Sequence, residues 1–559
     1  METKKSIDCL LIGHNEIEFE EYERIVGQMG PYSGAYRDLR LNYIRYDNKP
    51  YTAAGIFNLL NQSEKIFKPV NFGETFSAAV AYLGSYLKKN GFTIDYINSF
   101  QKEKPQLKEK LEQNGILTIA IITTLYVFPL PIIEIINLIK NHNHTAKIIV
   151  GGPFVSTKVR TQDKTSLEYL FTNTLQADFF VNSSQGEAAL LKILQALKND
   201  LPLHQINNIY YRAGNKLIST PASRENNQLT ENPVRWDLFS RNNIEYVNVR
   251  TAISCPFSCA FCGFPQHAGK HQVLDVGGVE WELNLLEQMG TVKSINFIDD
   301  TFNIPSKRIK DILNMMIRNR YPFKWHSYLR CQYIDEETVK LMKESGCEGV
   351  FLGIESGNEK ILKNMNKKSD VGKYLEGIAL LKKQGIVTFG SFIIGFPGET
   401  DNTVEDTKKF IMESGLDFYR VQLWYCEPIT PIWKEKEKYN ITGESFEWSH
   451  ATMDSRKACD LIDETFCSIE NPIWVPQYNF DFDSMWHLIH QGISLENVKD
   501  FLRTFYMGLK EKLLKPNQKE VSHRIIQQLM NVYRRTNELV ELPIEEQKIL
   551  EKYNAEFDY

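Results

Sequence analysis

Cys255, Cys259 and Cys262 stand in the spacing CxxxCxxC, within Cys255-Pro256-Phe257-Ser258-Cys259-Ala260-Phe261-Cys262. Three thiols so close in sequence must share one loop, and soft metals are what such sulfurs bind. A cubane [4Fe–4S] cluster takes four thiolates, so three leave one iron open to a small chelating molecule. The competing readings are a structural zinc loop or chance clustering. Zinc sites recruit a fourth Cys or His at recognisable spacing, and here the nearest is His267 on a Gly/Pro-rich loop. The other six cysteines, Cys9, Cys331, Cys347, Cys426, Cys459 and Cys467, are scattered singly and read as small buried hydrophobes.

A chain of 559 residues exceeds a single core, and three domains are expected. The formal charge is −5 with no basic run, so nucleic acid is not an expected partner. A small molecule, a peptide or a carrier-bound group is. No stretch reaches the ~18–20 uninterrupted apolar residues of a membrane span, and Met1 to Ser6 is expected to lead straight into a strand. Nine cysteines without paired spacing point to a reducing compartment, so the expected location is cytoplasmic.

Residues 1–200 alternate strand-like and helical stretches. Ile7 to Ile12, Thr118 to Ile122, Lys147 to Val150 and Phe179 to Val181 read as strands, and Phe76 to Lys89, Pro131 to Lys140 and Glu187 to Leu197 as helices. The pattern predicts an α/β, Rossmann-like domain with a parallel sheet, whose ligands sit beyond the strands' carboxyl ends. The loops there carry Gly13-His14-Asn15, Thr123-Thr124-Leu125, Gly151-Gly152-Pro153 and Ser183 to Glu187, including Gly186. Glycine permits close backbone approach and Thr can hydrogen-bond a phosphate or amide, so a nucleotide-like or corrinoid ligand fits. Such glycines also serve simply as turn formers. Residues 16–68 are an insertion rich in tyrosine, Tyr22, Tyr32, Tyr36, Tyr43, Tyr46 and Tyr51, whose rings can line a ligand pocket or, the reading preferred, glue a subdomain to the barrel. Residues 201–245 form a hairpin, around Gly214-Asn215, and a polar linker.

Residues 246–440 read as about six βα units, with strands at Tyr246 to Arg250, Ser294 to Ile298, Trp325 to Leu329, Gly349 to Ile354, Thr388 to Ile394 and Phe418 to Leu423. Six units give a partial (β/α)6 barrel with chemistry at the strands' carboxyl ends. Residues 441–559 read as mostly helical, at Asp454 to Phe466, Leu495 to Leu514 and Ser522 to Val540. His487 and His490 share a helical face and read as packing or surface residues, with no acid or third ligand near in sequence.

The cysteine loop, with aromatic Phe261 ahead of Cys262, closely resembles that of radical S-adenosylmethionine (SAM) enzymes. The resemblance implies a [4Fe–4S] cluster on Cys255, Cys259 and Cys262 whose free iron holds SAM. It implies further that Asp299 and Asp300 face the SAM ammonium, Arg330 its carboxylate, and Glu355 and Ser356 its ribose or methionyl group. Gly395, in Gly395-Phe396-Pro397-Gly398-Glu399-Thr400, would lie on the adenine side. The first half resembles the cobalamin-binding domain found ahead of many radical SAM domains, which implies that Thr123, Thr124, Gly151, Gly152, Gly186 and Glu187 contact cobalamin. The DxHxxG motif of cobalamin mutases is absent, and His14 is weighed as an axial ligand only as a minor alternative to a hydrogen-bonding loop residue.

Together the modules resemble class B, cobalamin-dependent radical SAM enzymes, and among them the PhpK-type phosphinate P-methyltransferase subfamily. Two SAM molecules are then implied: one supplies methyl to cobalamin, the other a 5′-deoxyadenosyl radical that activates unactivated carbon or phosphinate phosphorus. An external one-electron reductant of the flavodoxin or ferredoxin type is implied as well. A non-methylating rearrangement or cyclisation, and a corrinoid or iron–sulfur sensor, are the alternatives. A methylthiotransferase normally needs three further cysteines early in the chain, and only Cys9 precedes Cys255.

Overall fold

The computed structural model describes residues 6–64, 66–70, 75–113, 115–124, 126–214, 216–240, 243–476, 478 and 482–537. Leu125, Asn215 and residues 71–74 lie outside the described residues, as does the end of the helix expected over 522–540. The chain divides into two compact units. One comprises Met1–Ile17, Thr75–Ser254 and His267–Ile295, the other Glu18–Glu74, Cys255–Gln266 and Asn296–Tyr559.

The first unit holds a seven-stranded sheet of β1 (Ile7–His14), β2 (Ile94–Ser99), β3 (Ile116–Ile122), β4 (Lys147–Gly151), β5 (Phe179–Val181), β6 (Ile209–Ala213) and β7 (Lys216–Ser219), in the order β7-β6-β5-β4-β3-β1-β2. The strands β2, β1, β3, β4 and β5 are parallel, and the β6–β7 hairpin adds antiparallel at one edge. The four strands expected from the sequence all form. β2 was not anticipated because Ile94-Asp95-Tyr96-Ile97-Asn98-Ser99 mixes polar and apolar residues, as an edge strand with a single neighbour can. The central β3 is apolar on both faces, as a parallel strand covered by helices must be. Its Ile119 and Ile121 join Leu10, Ile12 and Val150 in a core closed by Ile132, Ile135, Ile136 and Ile139 of the helix Leu130–His142.

In the second unit, β8 (Lys324–Leu329), β9 (Cys347–Glu355), β10 (Val387–Ile394), β11 (Phe418–Leu423) and β12 (Ile473–Trp474) pair in parallel, each with the next. The two remaining strands expected of the partial barrel also form: Tyr246–Val249 belongs to the first unit, and Ser294–Phe297 begins in the first and ends in the second. The intervening helices owe their places to apolar stripes: Ser306–Asn319 buries Ile309, Ile312, Leu313 and Met316 at three- and four-residue spacing. A reciprocal Thr400/Thr403 capping box starts Asp401–Glu413.

Residues 18–74 group with this second unit rather than with the sheet they interrupt. Arg37 and Arg40 both reach the Asp463 carboxylate, and Phe57 meets Phe501 and Tyr533 edge-on at ring separations of 5.6 and 5.5 Å. The insertion is glue, as its aromatic density suggested, but to the carboxyl-terminal helices. Those helices are Ser455–Ser468, Leu495–Leu514 and His523–Asn537. A small antiparallel sheet, Thr442–Glu444, Glu447–His450 and Met453–Asp454, precedes them, in a region expected to be mostly helical. Among the described residues no helix is long and apolar enough to cross a membrane.

Candidate functional site

The cysteine loop is strapped down by its backbone. The Ala260 amide donates to the Met365 carbonyl at 2.8 Å, and the Ala260 carbonyl accepts from the Ile432 amide at 2.9 Å. The Asn366 side chain donates to the Ser258 carbonyl at 2.8 Å. Two segments far away in sequence therefore hold the loop. Burial first, then the neighbouring Cys259, Asp300 and Cys255 charges, push the Cys262 thiol up to about 11.

Arg330 directly follows β8 and points at this loop. Its Nη2 donates to the Cys259 Sγ at 2.8 Å and its Nη1 to the Lys367 carbonyl at 2.9 Å. The guanidinium lies 3.7 Å above the Phe257 ring, which stacks in turn on Tyr333 at 5.5 Å. Asn303, fully buried, grips the arginine's backbone from both sides: its Nδ2 donates to the Arg330 carbonyl at 2.9 Å and its Oδ1 accepts the Arg330 amide at 3.1 Å. Expected at the SAM carboxylate, Arg330 here meets a thiol.

Asp299 and Asp300 follow Ser294–Phe297 as anticipated. Asp299 is buried, whereas Asp300 is exposed. Desolvation by the surrounding protein, and after it the Asp299 charge, push the Asp300 carboxyl up to about 7. Next to them, the Thr301 hydroxyl lies 3.5 Å from the Cys255 Sγ. Glu355 ends β9 in the left-handed backbone region at φ 72°, its carboxylate 2.7 Å from the Lys367 ammonium. Lys367 also lies 5.5 Å from the centre of the Phe261 ring. Arg330, Glu355 and Lys367 are thus one connected group against the cysteine loop.

Ser356 and Gly395 stand apart from that group. The Ser356 hydroxyl, fully buried, lies 3.2 Å from Thr407 Oγ1 and accepts the Asn358 amide at 3.2 Å, so it fastens a helix instead of facing an open site. Gly395 has φ 100°, and its carbonyl lies 3.0 Å from the His450 Nε2. The His450 ring stacks on Trp448 at 5.2 Å. Its neighbour Glu399 accepts the Gly395 and Phe396 amides from inside the same turn.

In the first unit, the loops after the parallel strands β1, β3, β4 and β5 share one rim. Thr123 is buried and donates its hydroxyl to the Gly151 carbonyl at 2.9 Å, while Thr124 is exposed. Gly152 takes φ 118°, and a Cβ there would lie 2.8 Å from the Thr123 Oγ1, so only glycine suits the turn. Gly186, also at positive φ, starts the helix Glu187–Asn199. Glu187 accepts from Asn227 Nδ2 at 3.1 Å; burial, opposed by the Arg250 charge, raises its carboxyl to about 7. Burial pushes the His14 imidazole down to about 4, beside the Tyr126 ring at 5.9 Å.

Sequence reasoning missed Asn303, Lys367 and the ring pair Phe257/Tyr333. Phe257, inside the motif, was the one visible signal; Lys367 and Asn303 sit in loops without a pattern. It also missed the acids facing the histidines: His490 Nε2 lies 2.8 Å from Glu348, and His326 Nε2 lies 2.7 Å from Asp483.

Residues 250–411 match the Radical SAM superfamily. An uncharacterized methyltransferase of Pyrococcus horikoshii is 29% identical over 302 residues, 53% of this chain and 64% of that protein, so the chain spans under two thirds of its relative's length. The radical SAM methyltransferase TsrM from Kitasatospora setae, solved with tryptophan substrate and a SAM analogue, superposes with TM-score 0.54 at 18% identity, over 66% of this chain and 74% of that one. The cobalamin-dependent SAM radical enzyme OxsB, with aqua-cobalamin and SAM bound, gives TM-score 0.58 at 15% identity, over 99% of this chain and 81% of that one. This chain therefore carries a radical SAM domain, in a fold shared with TsrM and OxsB.

Proposed function

We propose that the protein is a cobalamin-dependent radical SAM methyltransferase acting on a small-molecule, peptide or carrier-bound acceptor at unactivated carbon or phosphinate phosphorus. The observation that carries the reading is the loop of Cys255, Cys259 and Cys262, fastened through its backbone, with Arg330 against it. The methyltransferase named in the relative and in TsrM, and the cobalamin named in OxsB, support it. When bound, the cluster with SAM supplies a hydrogen-abstracting radical, and cobalamin a transferable methyl group.

The three thiols would hold the cluster. The exposed Asp300 would accept hydrogen bonds from the SAM ammonium. The backbone around Gly395 would flank the adenine. Around the rim of the first unit, the Gly151-Gly152 turn and the Gly186 helix start offer bare backbone to a large planar ligand, and the exposed Thr124 offers a hydroxyl. The protein's contribution is placement and exclusion of water, which turns a diffusive encounter into a near-unimolecular step. The setting proposed is the cytoplasm, with a flavodoxin- or ferredoxin-type one-electron reductant.

The test is anaerobic purification with cobalamin, iron and sulfide supplied, followed by metal counts on wild type and a Cys255/Cys259/Cys262→Ala variant. About one cobalt and four irons in wild type, with only the iron lost in the variant, supports the reading. Formation of S-adenosylhomocysteine beside 5′-deoxyadenosine during turnover separates methyl transfer from rearrangement or cyclisation. Iron without cobalamin would sink the methylcobalamin chemistry.

A further inference from the structure

Arg330 is buried, and its charge has no carboxylate within 4.0 Å among the ion pairs of the described residues, whereas the neighbouring Lys367 is neutralised by Glu355 at 2.7 Å. Of the two cations against the cysteine loop, Arg330 is therefore the one whose charge is left for the sulfurs. Its direction is fixed three times over: by Asn303 on its backbone, by the Lys367 carbonyl on Nη1, and by the Phe257 ring beneath the guanidinium. The remaining arm ends at the Cys259 Sγ.

We propose that Arg330 is a positioning residue for the cluster, donating a permanent charge-assisted N–H···S hydrogen bond to Cys259 that favours the one-electron-reduced state. Hydrogen bonds to cluster sulfurs and nearby charge set the reduction potentials of iron–sulfur centres. A thiolate-held cluster gains one negative charge on reduction, so a fixed cation and a donated hydrogen bond stabilise the reduced form more than the oxidised one. Arginine suits this better than lysine, because its planar fork holds a carbonyl and a sulfur at once. The inference rests on the reading that Cys255, Cys259 and Cys262 carry a [4Fe–4S] cluster.

The experiment uses full-length enzyme reconstituted with iron and sulfide, without acceptor substrate. In wild type carrying guanidinium-15N arginine, pulsed electron paramagnetic resonance of the reduced cluster should detect a coupled nitrogen, absent from Arg330→Met. In redox titrations with mediators, Arg330→Met at unchanged iron content should titrate at more negative potential. Its reduced-to-oxidised ratio at the wild-type midpoint should fall roughly tenfold, about 59 mV for a one-electron couple. Arg330→Lys should recover part of the shift. A full cluster with no nitrogen coupling in wild type, or with equal midpoints in wild type and Arg330→Met, overturns the proposal. If Arg330→Met does not fold, Arg330→Lys, which also lacks the labelled guanidinium, is the control from which the coupling must be absent. Wild type that binds no cluster iron would overturn the cluster reading itself, and this inference with it.

Discussion

The Lys367 ammonium and the Glu355 carboxylate meet at 2.7 Å with both side chains almost wholly buried, and Glu355 adopts φ 72° to complete the pair. Two charges taken out of water are tolerable only together: removing one partner of a buried pair costs about 3–5 kcal/mol, because the other is left uncompensated. Lys367→Met and Glu355→Gln should each lower the urea midpoint strongly, and the double variant should be less destabilised than the sum of the two. Additive losses would show that the charges do not depend on each other.

Gly395 admits no side chain. At φ 100° a Cβ would sit 2.5 and 2.6 Å from the Trp448 ring and 3.0 Å from the Ala458 Cβ. Gly395→Ala combines left-handed strain with overpacking of a rigid indole, a loss on the order of 1–3 kcal/mol for the packing alone. Gly27→Ala, at the end of the helix Phe19–Gly27 with nothing within 4 Å of the new Cβ, should gain up to about 1 kcal/mol. Thermal unfolding of the two variants should move in opposite directions, and an unchanged melting temperature for Gly395→Ala would contradict the close approach.

Glu399 gives stability a pH dependence of definite sign. Complete burial, opposed by the Gly395 and Phe396 amides, pushes its carboxyl from 4.5 up to about 8. The folded protein thus keeps a proton that the unfolded chain has already released. The stability linked to that proton is fully present below the unfolded carboxyl's range and is lost as pH rises from there through about 8. Glu399→Gln keeps an oxygen for both amides without the charge. Its melting temperature relative to wild type should improve between pH 5.5 and pH 8, and parallel curves would refute the assignment.

The expected sheet strands were legible because each is a short apolar run between turn signals, whereas the mixed polarity of Ile94–Ser99 hid an edge strand. What escaped was what only folding brings together. Lys367 follows Asn366, in a loop with neither helical nor strand period, yet it supplies both the partner of Glu355 and the carbonyl that orients Arg330. Ser356 sits beside Glu355 in sequence, but its buried hydroxyl is used at Thr407, and no local pattern distinguishes the two neighbours. The insertion is the clearest limit. Its tyrosines signalled attachment, expected at the barrel, and missed the carboxyl-terminal helices, since Phe501 and Tyr533 lie more than four hundred residues further along.

That attachment yields a last prediction. Phe57 is 3% exposed and touches Phe67, Phe501 and Tyr533 at ring separations of 6.0, 5.6 and 5.5 Å, so it is the centre of the contact between the insertion and the carboxyl-terminal helices. Phe57→Ala removes the ring and leaves a void among three aromatics, which costs about 3–5 kcal/mol where neighbours cannot collapse, and three interlocked rings collapse poorly. Phe57→Leu keeps most of the volume and should lose less than half as much. Tyr32, 71% exposed in the same insertion, should tolerate alanine without change. Limited proteolysis reads the difference directly: cleavage within residues 18–64 should accelerate in Phe57→Ala, only slightly in Phe57→Leu and not at all in Tyr32→Ala. Equal cleavage in all three would mean that the arginine contacts to Asp463, and not the aromatic cluster, hold the insertion in place.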